Sequence, residues 1–327
     1  MSQSAEEESL ILPDGRTLCY TTFGVSPSLS SSSSSSHTQS RSKDQQQIPT
    51  VFYFHGLPGS QVEGRSAHQA ASAKGIRIIA LSRPGYGGST YQPNRTLLSY
   101  PPDVLALADH LNIRQFAILG ISGGGPFALA CVHGLPRERL IGAMVVSGMY
   151  PVELGMSGMM LINRLLFNLT PWVPMRLLSL VLDFFVGRVA RDNKKLAMAM
   201  AQTFESRPAE DMVAIHAEED KVLKVMVDST KDSFRHGALG FACEAKLFSI
   251  PWGFDLKDLK VEKEKGEGKT RLVIWHGEKD VNVPLQMAEK AAKMIPDCEF
   301  KVERNEAHIS LFANKMDEII DTLLAMF

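Results

Sequence analysis

Apolar residues come in short unbroken blocks along this chain, separated by stretches of helical spacing or by polar punctuation. In ESLILPDGRTLCYTTFG two such blocks flank Asp14-Gly15, a strong turn signal, and predict a β-hairpin. PTVFYFHG, IRIIALS, QFAILGIS and LIGAMVVSG are continuous apolar runs of strand length. Runs of that kind belong to strands buried on both faces, as in a parallel sheet covered by helices. Between them RSAHQAASAKG, SYPPDVLALADHLN and GPFALACVHG read as helices, the second with prolines near its start. Strand–helix alternation implies right-handed crossovers.

The alternation stops after Gly148. Residues 150–235 offer no convincing strand, but helical periodicity recurs there, as in KKLAMAMAQTF and DMVAIHAEEDKVLKVMV. It resumes with TRLVIWHG as a strand, PLQMAEKAAKMI as a helix, CEFKVER as a strand and ISLFANKMDEIIDTLLAMF as a closing helix. The expected fold class is therefore α/β. Residues 1–149 and 236–327 build a mostly parallel central sheet covered by helices, and residues 150–235 form an inserted helical lid. Two polar stretches interrupt the pattern. SPSLSSSSSSSHTQSRSKDQQQ, about residues 26–47, has too little apolar surface to offset the entropy of ordering and is expected to be a disordered insertion. KVEKEKGEGK reads as a charged surface loop.

Composition narrows the choice of partner. A formal net charge of −1 gives no reason to expect nucleic acid or an anionic membrane as the main partner, although it does not describe local patches. Cys19, Cys131, Cys243 and Cys298 lie far apart without a CxxC pair, which argues against a structural zinc or a disulfide frame and suits free thiols in a reducing compartment. The acidic start MSQSAEEESLILPDG does not read as a secretory signal. The most apolar stretch is interrupted by Arg164, Arg176 and Asp183 and by Pro171 and Pro174, so it falls short of a membrane span of about 20 apolar residues. A cytoplasmic location is expected.

Candidate chemistry gathers at strand ends. Gly120-Ile121-Ser122-Gly123-Gly124 fits G-x-S-x-G and lies where a predicted strand turns into a predicted helix, the context that motif requires. A sharp turn there forces strained backbone angles on Ser122, with small neighbours at Gly120 and Gly124 letting it close. The segment has no lysine for a phosphate-binding P-loop and does not fit G-x-G-x-x-G. A serine needs a base, and the base a partner that orients it. Asp280 follows the strand of RLVIWHG, and His308 follows the last strand. Ser122, Asp280 and His308 stand in the chain order of serine hydrolases built on such a sheet. Among the other histidines, His55, His110 and His133 are weaker choices, and His276 is the best competing base. It ranks lower because Asp280, in its own loop, is expected to be poorly placed to orient it. The oxyanion donors are expected to be the N–H groups of Leu57, after the turn at His55-Gly56, and of Gly123.

Taken together, HGLPGS, RPGYGGS, GISGGGP, WHGEKDVNVP and EAHISLF resemble the α/β-hydrolases of the lid-bearing, esterase-like subgroup, over nearly the whole chain. The resemblance implies Ser122 as nucleophile, His308 as base, Asp280 as acid, and Leu57 and Gly123 as oxyanion donors, with neither cofactor nor metal. Epoxide hydrolases and dehalogenases of this fold carry aspartate where Ser122 stands. The chain departs from the common pattern at Ser82, where relatives often have aspartate, and at Ala307, where they often have glycine. The insertion is rich in methionine (Met156, Met159, Met160, Met175, Met198, Met200) and also carries Phe167, Trp172, Phe184 and Phe185, a composition that suggests an adaptable apolar pocket. The expected reaction is hydrolysis of a carboxylic ester of a small, largely apolar molecule through an acyl-enzyme. A peptidase using Glu218, Glu219 or Asp220 to hold a substrate amine, an acyl-transfer or tailoring step, and a ligand receptor on the same scaffold are the alternatives. Oligomeric state is left open.

Overall fold

The computed structural model describes residues 6–26, 48–217, 221–264 and 266–327. Apart from Ser26, the expected polar insertion lies outside the described residues, and so do Glu218, Glu219 and Asp220. β1 (Glu7–Ile11) and β2 (Thr17–Gly24) form the expected antiparallel hairpin, with Gly15 at φ 85° in its turn. There follow β3 (Thr50–Phe54), α1 (His68–Ala73), β4 (Arg77–Leu81), α2 (Pro101–His110), β5 (Phe116–Ile121), α3 (Gly125–Gly134) and β6 (Leu140–Val146). The helical insertion comes next, with α4 (Leu161–Leu169), α5 (Met175–Leu182), a π-helical turn (Asp183–Gly187), α6 (Arg188–Ala190), α7 (Asn193–Phe204), α8 (Ala209–His216) and α9 (Lys221–Ser233). A further helix, α10 (Leu239–Phe248), which no sequence pattern above had marked, precedes β7 (Arg271–Gly277). The chain closes with α11 (Leu285–Met294), β8 (Glu299–Glu303), α12 (His308–Asn314) and α13 (Met316–Leu324).

The described strands form one eight-stranded sheet in the order β1-β2-β4-β3-β5-β6-β7-β8. Only the pairings of β2 with β1 and with β4 are antiparallel; β4, β3, β5, β6, β7 and β8 run parallel. The apolar runs behave as their pattern requires. Every residue of β3 and β5 is buried, while the edge strands β1 and β8 contain no fully buried residue. Alternate side chains enter opposite layers. Phe52 and Phe54 join Ile118, Phe127 and Val145 on one face, and Val51 and Tyr53 join Leu119, Met144 and Leu323 on the other. The parallel strands bring their C-terminal ends to one edge, where sites of open α/β sheets are built. Among the described residues no helix is long and apolar enough to cross a membrane.

Candidate active site

At the end of β5 the chain enters a single tight turn, Ser122–Gly124, that runs into α3. Ser122 has φ 51°, in the left-handed region that most side chains avoid. Such strain persists where the surroundings leave no alternative. Here a Cβ on Gly124 would lie 2.2 Å from the Phe54 carbonyl oxygen, and one on Gly120 would lie 2.7 Å from the Gly124 carbonyl oxygen. The Met149 N–H donates to the Ser122 carbonyl at 3.0 Å and ties the turn to the chain after β6. The serine is thus fixed by backbone packing on both sides of its strand.

His308 arrives from the far side of the sheet as the first residue of α12. Its loop is stitched to the end of β7, because the N–H groups of Glu278 and Lys279 donate to the carbonyls of Glu303 and Glu306 at 3.0 and 3.1 Å. His308 Nε2 lies 2.9 Å from Ser122 Oγ, and Nδ1 lies 2.7 Å from Asp280 Oδ2. The other oxygen of Asp280 accepts the N–H groups of Asn282 and Val283 at 2.8 and 2.9 Å. Burial acts to raise the Asp280 carboxyl, but the adjacent His308 and these hydrogen bonds outweigh it and hold the group below the ordinary carboxylate range. An Nδ1–H donated to Asp280 leaves Nε2 free to accept the serine proton.

His276 differs from the expectation in one respect. Its Nε2 is 3.4 Å from Asp280 Oδ2, so the carboxylate does lie beside it. The same nitrogen is 2.8 Å from the Val283 carbonyl oxygen, the ring is buried, and burial pushes its titration below the ordinary histidine range.

The turn after β3 faces Ser122. A Cβ on Gly123 would lie 3.1 Å from the Leu57 backbone nitrogen and 2.7 Å from its Cβ, so the two expected oxyanion donors meet with no space for a side chain between them. Three residues overlooked in the sequence hold this turn. The Gly56 N–H donates to both oxygens of Glu63, at 2.9 and 3.1 Å, and the Tyr53 hydroxyl donates to the same carboxylate at 3.0 Å. Burial pushes the Glu63 carboxyl above its ordinary range despite these donors. Arg83 donates through Nη1 to the His55 carbonyl and through Nη2 to the Gly56 carbonyl, the latter at 3.0 Å. Its Nε and the same Nη2 donate to Glu244 of α10 at 2.7 and 2.8 Å. Glu244 also accepts from Arg95 at 3.0 Å and from the Tyr86 hydroxyl at 3.1 Å. Arg83 stands within RPGYGGS and could have been suspected there, whereas nothing local marks Glu244, 161 positions away.

A pocket of about 120 Å³ opens beside Ser122 and His308, lined also by Glu63 and Arg207 and by Val222, Val225 and Met226 of α9. The methionines and aromatics expected to line it do not. Met159 and Phe167 are buried in the main core, and Trp172, Phe184, Phe185 and Met198 are exposed. Apolar composition alone cannot tell an inward helix face from an outward one. Of the two departures noted in the sequence, Ala307 has φ −112°, which needs no glycine, and Ser82 hydrogen-bonds Gln61.

Residues 49–315 match the family model described as the alpha/beta hydrolase fold. A bifunctional esterase/perhydrolase from Acinetobacter calcoaceticus is 26% identical over 108 residues, which is 33% of this chain and 39% of that protein. The chain is also similar in fold to the solved esterase from Exiguobacterium antarcticum (TM-score 0.61, 15% identity, 97% of each chain). It is similar as well to a structure from work on epoxide hydrolases in metagenomes from hot environments (TM-score 0.61, 17% identity, 98% of this chain and 99% of that one). At such identities the structural likeness speaks to fold, and the chemistry has to be argued from the residues.

Proposed function

The chain belongs to the α/β-hydrolase family, and from that premise we propose that it is a serine hydrolase cleaving a carboxylic ester of a small, largely apolar molecule. One observation carries the reading: a serine held at φ 51° is hydrogen-bonded to a histidine, which is hydrogen-bonded in turn to a buried, ionised aspartate. In this scheme Ser122 Oγ attacks the ester carbonyl as His308 Nε2 takes its proton. Asp280 keeps the ring oriented and stabilises the imidazolium without itself being protonated. The carbonyl oxygen, now negative, accepts the N–H groups of Leu57 and Gly123. His308 returns the proton to the leaving alkoxide, the alcohol departs, and an acyl-Ser122 remains. Water then repeats the sequence and releases the carboxylic acid. The small pocket volume and its valine and methionine lining support a short apolar substrate, and the contribution of α9 to that lining supports a lid role for the insertion.

The test is to incubate the folded protein with a fluorophosphonate and map the adduct by mass spectrometry. The adduct is expected on Ser122. Ser122→Ala is expected to lower kcat by at least about 10⁴-fold. Across a panel of esters of increasing acyl length, kcat/KM is expected to be highest for the short members. An adduct on another serine, or none, defeats the assignment.

A further inference from the structure

The helices α4 and α5 are apolar on two sides. Their inward stripes, Phe167 on α4 and Leu178 and Leu182 on α5, are buried, and both helices rest on α10. Their outward stripes are apolar as well. Leu161, Leu165 and Leu169 face solvent on α4, and Leu177, Leu180 and Phe184 continue along α5 into the π-helical turn. A surface helix ordinarily presents charged or polar side chains there, and an exposed apolar face of this extent marks an interaction surface. Trp172, at the corner between the two helices, is 85% exposed.

We propose that this face docks on the surface of an anionic lipid bilayer. The charge of the segment selects that occupant. Residues 161–200 carry six Lys and Arg side chains against two Asp, in a chain whose net charge is −1. Asp183 is paired with Arg191 and Asp192 with Lys195. Arg164, Arg176 and Arg188 are exposed and make no ion pair among the described residues. The Arg188 guanidinium sits 5.1 Å from the centre of the Phe184 ring. Apolar side chains interleaved with exposed arginines and a tryptophan match the headgroup boundary, where rings and aliphatic stems enter the acyl region and guanidinium groups meet phosphate. A second copy of the chain fits less well, because a two-fold contact through this face brings the two sets of arginines together. The composition of residues 27–47 gives no apolar match for it, since Leu29 is their one large apolar residue. The inference does not depend on the chemistry proposed for Ser122.

Trp172 supplies the readout. The other two tryptophans, Trp252 and Trp275, are 4% and 5% exposed, so a change in emission on docking reports Trp172. The full chain is mixed with vesicles of phosphatidylcholine alone or of phosphatidylcholine with phosphatidylserine, and both emission and co-flotation are followed. A blue shift and co-flotation are expected with the mixed vesicles and are expected to weaken with salt. Each arginine removed in R164Q, R176Q and R188Q is expected to lower the partition constant about fivefold. The double variant Phe184→Ser, Phe185→Ser is expected to lower it at least about tenfold while keeping its circular dichroism. No partition onto the mixed vesicles overturns the proposal, as does partition that ignores all of these substitutions. A concentration-dependent dimer that shifts Trp172 emission without lipid also overturns it and assigns the face to a second copy.

Discussion

Asp280 uses both carboxylate oxygens, one for His308 and one for the N–H groups of its own loop, and so holds a proton less readily than an ordinary aspartate. The folded-state value is depressed below that of an ordinary aspartate. Ionised Asp280 therefore contributes stability above the unfolded-state value, and that contribution is lost as pH falls through the folded-state value. The gap in unfolding free energy between the native chain and Asp280→Asn is expected to be largest near neutral pH and to shrink below about pH 4. Urea titrations across that range measure it, and a gap independent of pH would contradict the assignment of the charge. At Leu57 the proposed role belongs to the N–H and not to the side chain. Leu57→Ala is expected to keep kcat nearly unchanged, and Leu57→Pro to lower it by about 10²–10³. Proline also restricts Gly56, so circular dichroism has to match before the kcat values are compared; equal losses in the two variants would remove the backbone donor. Ser122 and Asp280 could be read in the sequence because each follows an apolar run at a strand end, and His308 because it follows the last strand in the expected chain order. Glu63 and Arg83 could not be assigned their partners, since a carboxylate or guanidinium that holds a backbone turn leaves no periodic trace.

At the scale of elements, α8 reaches across to hold the helix that begins with His308. Asp211 is fully buried, and its Oδ1 accepts the N–H groups of Ile309 and Ser310 at 2.8 and 2.9 Å, which caps α12 from another part of the chain. Loss of a capping acceptor typically costs about 0.5–2 kcal/mol. Asp211→Ala is expected to lower Tm and to reduce kcat, because it loosens His308, and to move KM as well, because Asp211 pairs at 3.9 Å with Arg207 of the pocket wall. Asp211→Asn keeps an oxygen acceptor and is expected to restore most of Tm and kcat. A normal kcat in the alanine variant would mean that α12 holds His308 without help. The interior strands were the most legible elements, since burial on both faces writes a continuous apolar run. Less legible was the closing helix, which splits at Lys315 into α12 and α13. Its apolar periodicity carries on across the break, so nothing in the spacing marks it. α10 was missed for a similar reason: eight of its ten residues are buried, and a helix buried all round loses its amphipathic signature.

Across the whole molecule, Arg83 and Glu244 join the turn after β3 to α10, the helix on which α4 and α5 rest, so one ion pair links the candidate oxyanion turn to the insertion. Both side chains are fully buried. Burial opposes the charge on Arg83, but Glu244 overcomes it and the guanidinium is held above its ordinary range. Removing one partner of a buried pair leaves the other charge uncompensated, at a cost of about 3–5 kcal/mol. The exposed pair Arg65–Asp228, at 2.8 Å, provides the contrast, since surface pairs contribute about 0–1 kcal/mol. Glu244→Gln is therefore expected to lower the unfolding free energy severalfold more than Asp228→Asn. Arg83→Met leaves Glu244 paired with Arg95 but removes the donors to the His55 and Gly56 carbonyls, and it too is expected to cost more than Asp228→Asn. Kinetics separate the two roles of Arg83. Were it only a stabiliser, kcat per folded molecule would be unchanged at a temperature where the variant remains folded. Were it also to position the Leu57 N–H, kcat would fall while KM for a small ester moved little. The second outcome is expected, and a normal kcat in folded Arg83→Met would confine Arg83 to stability.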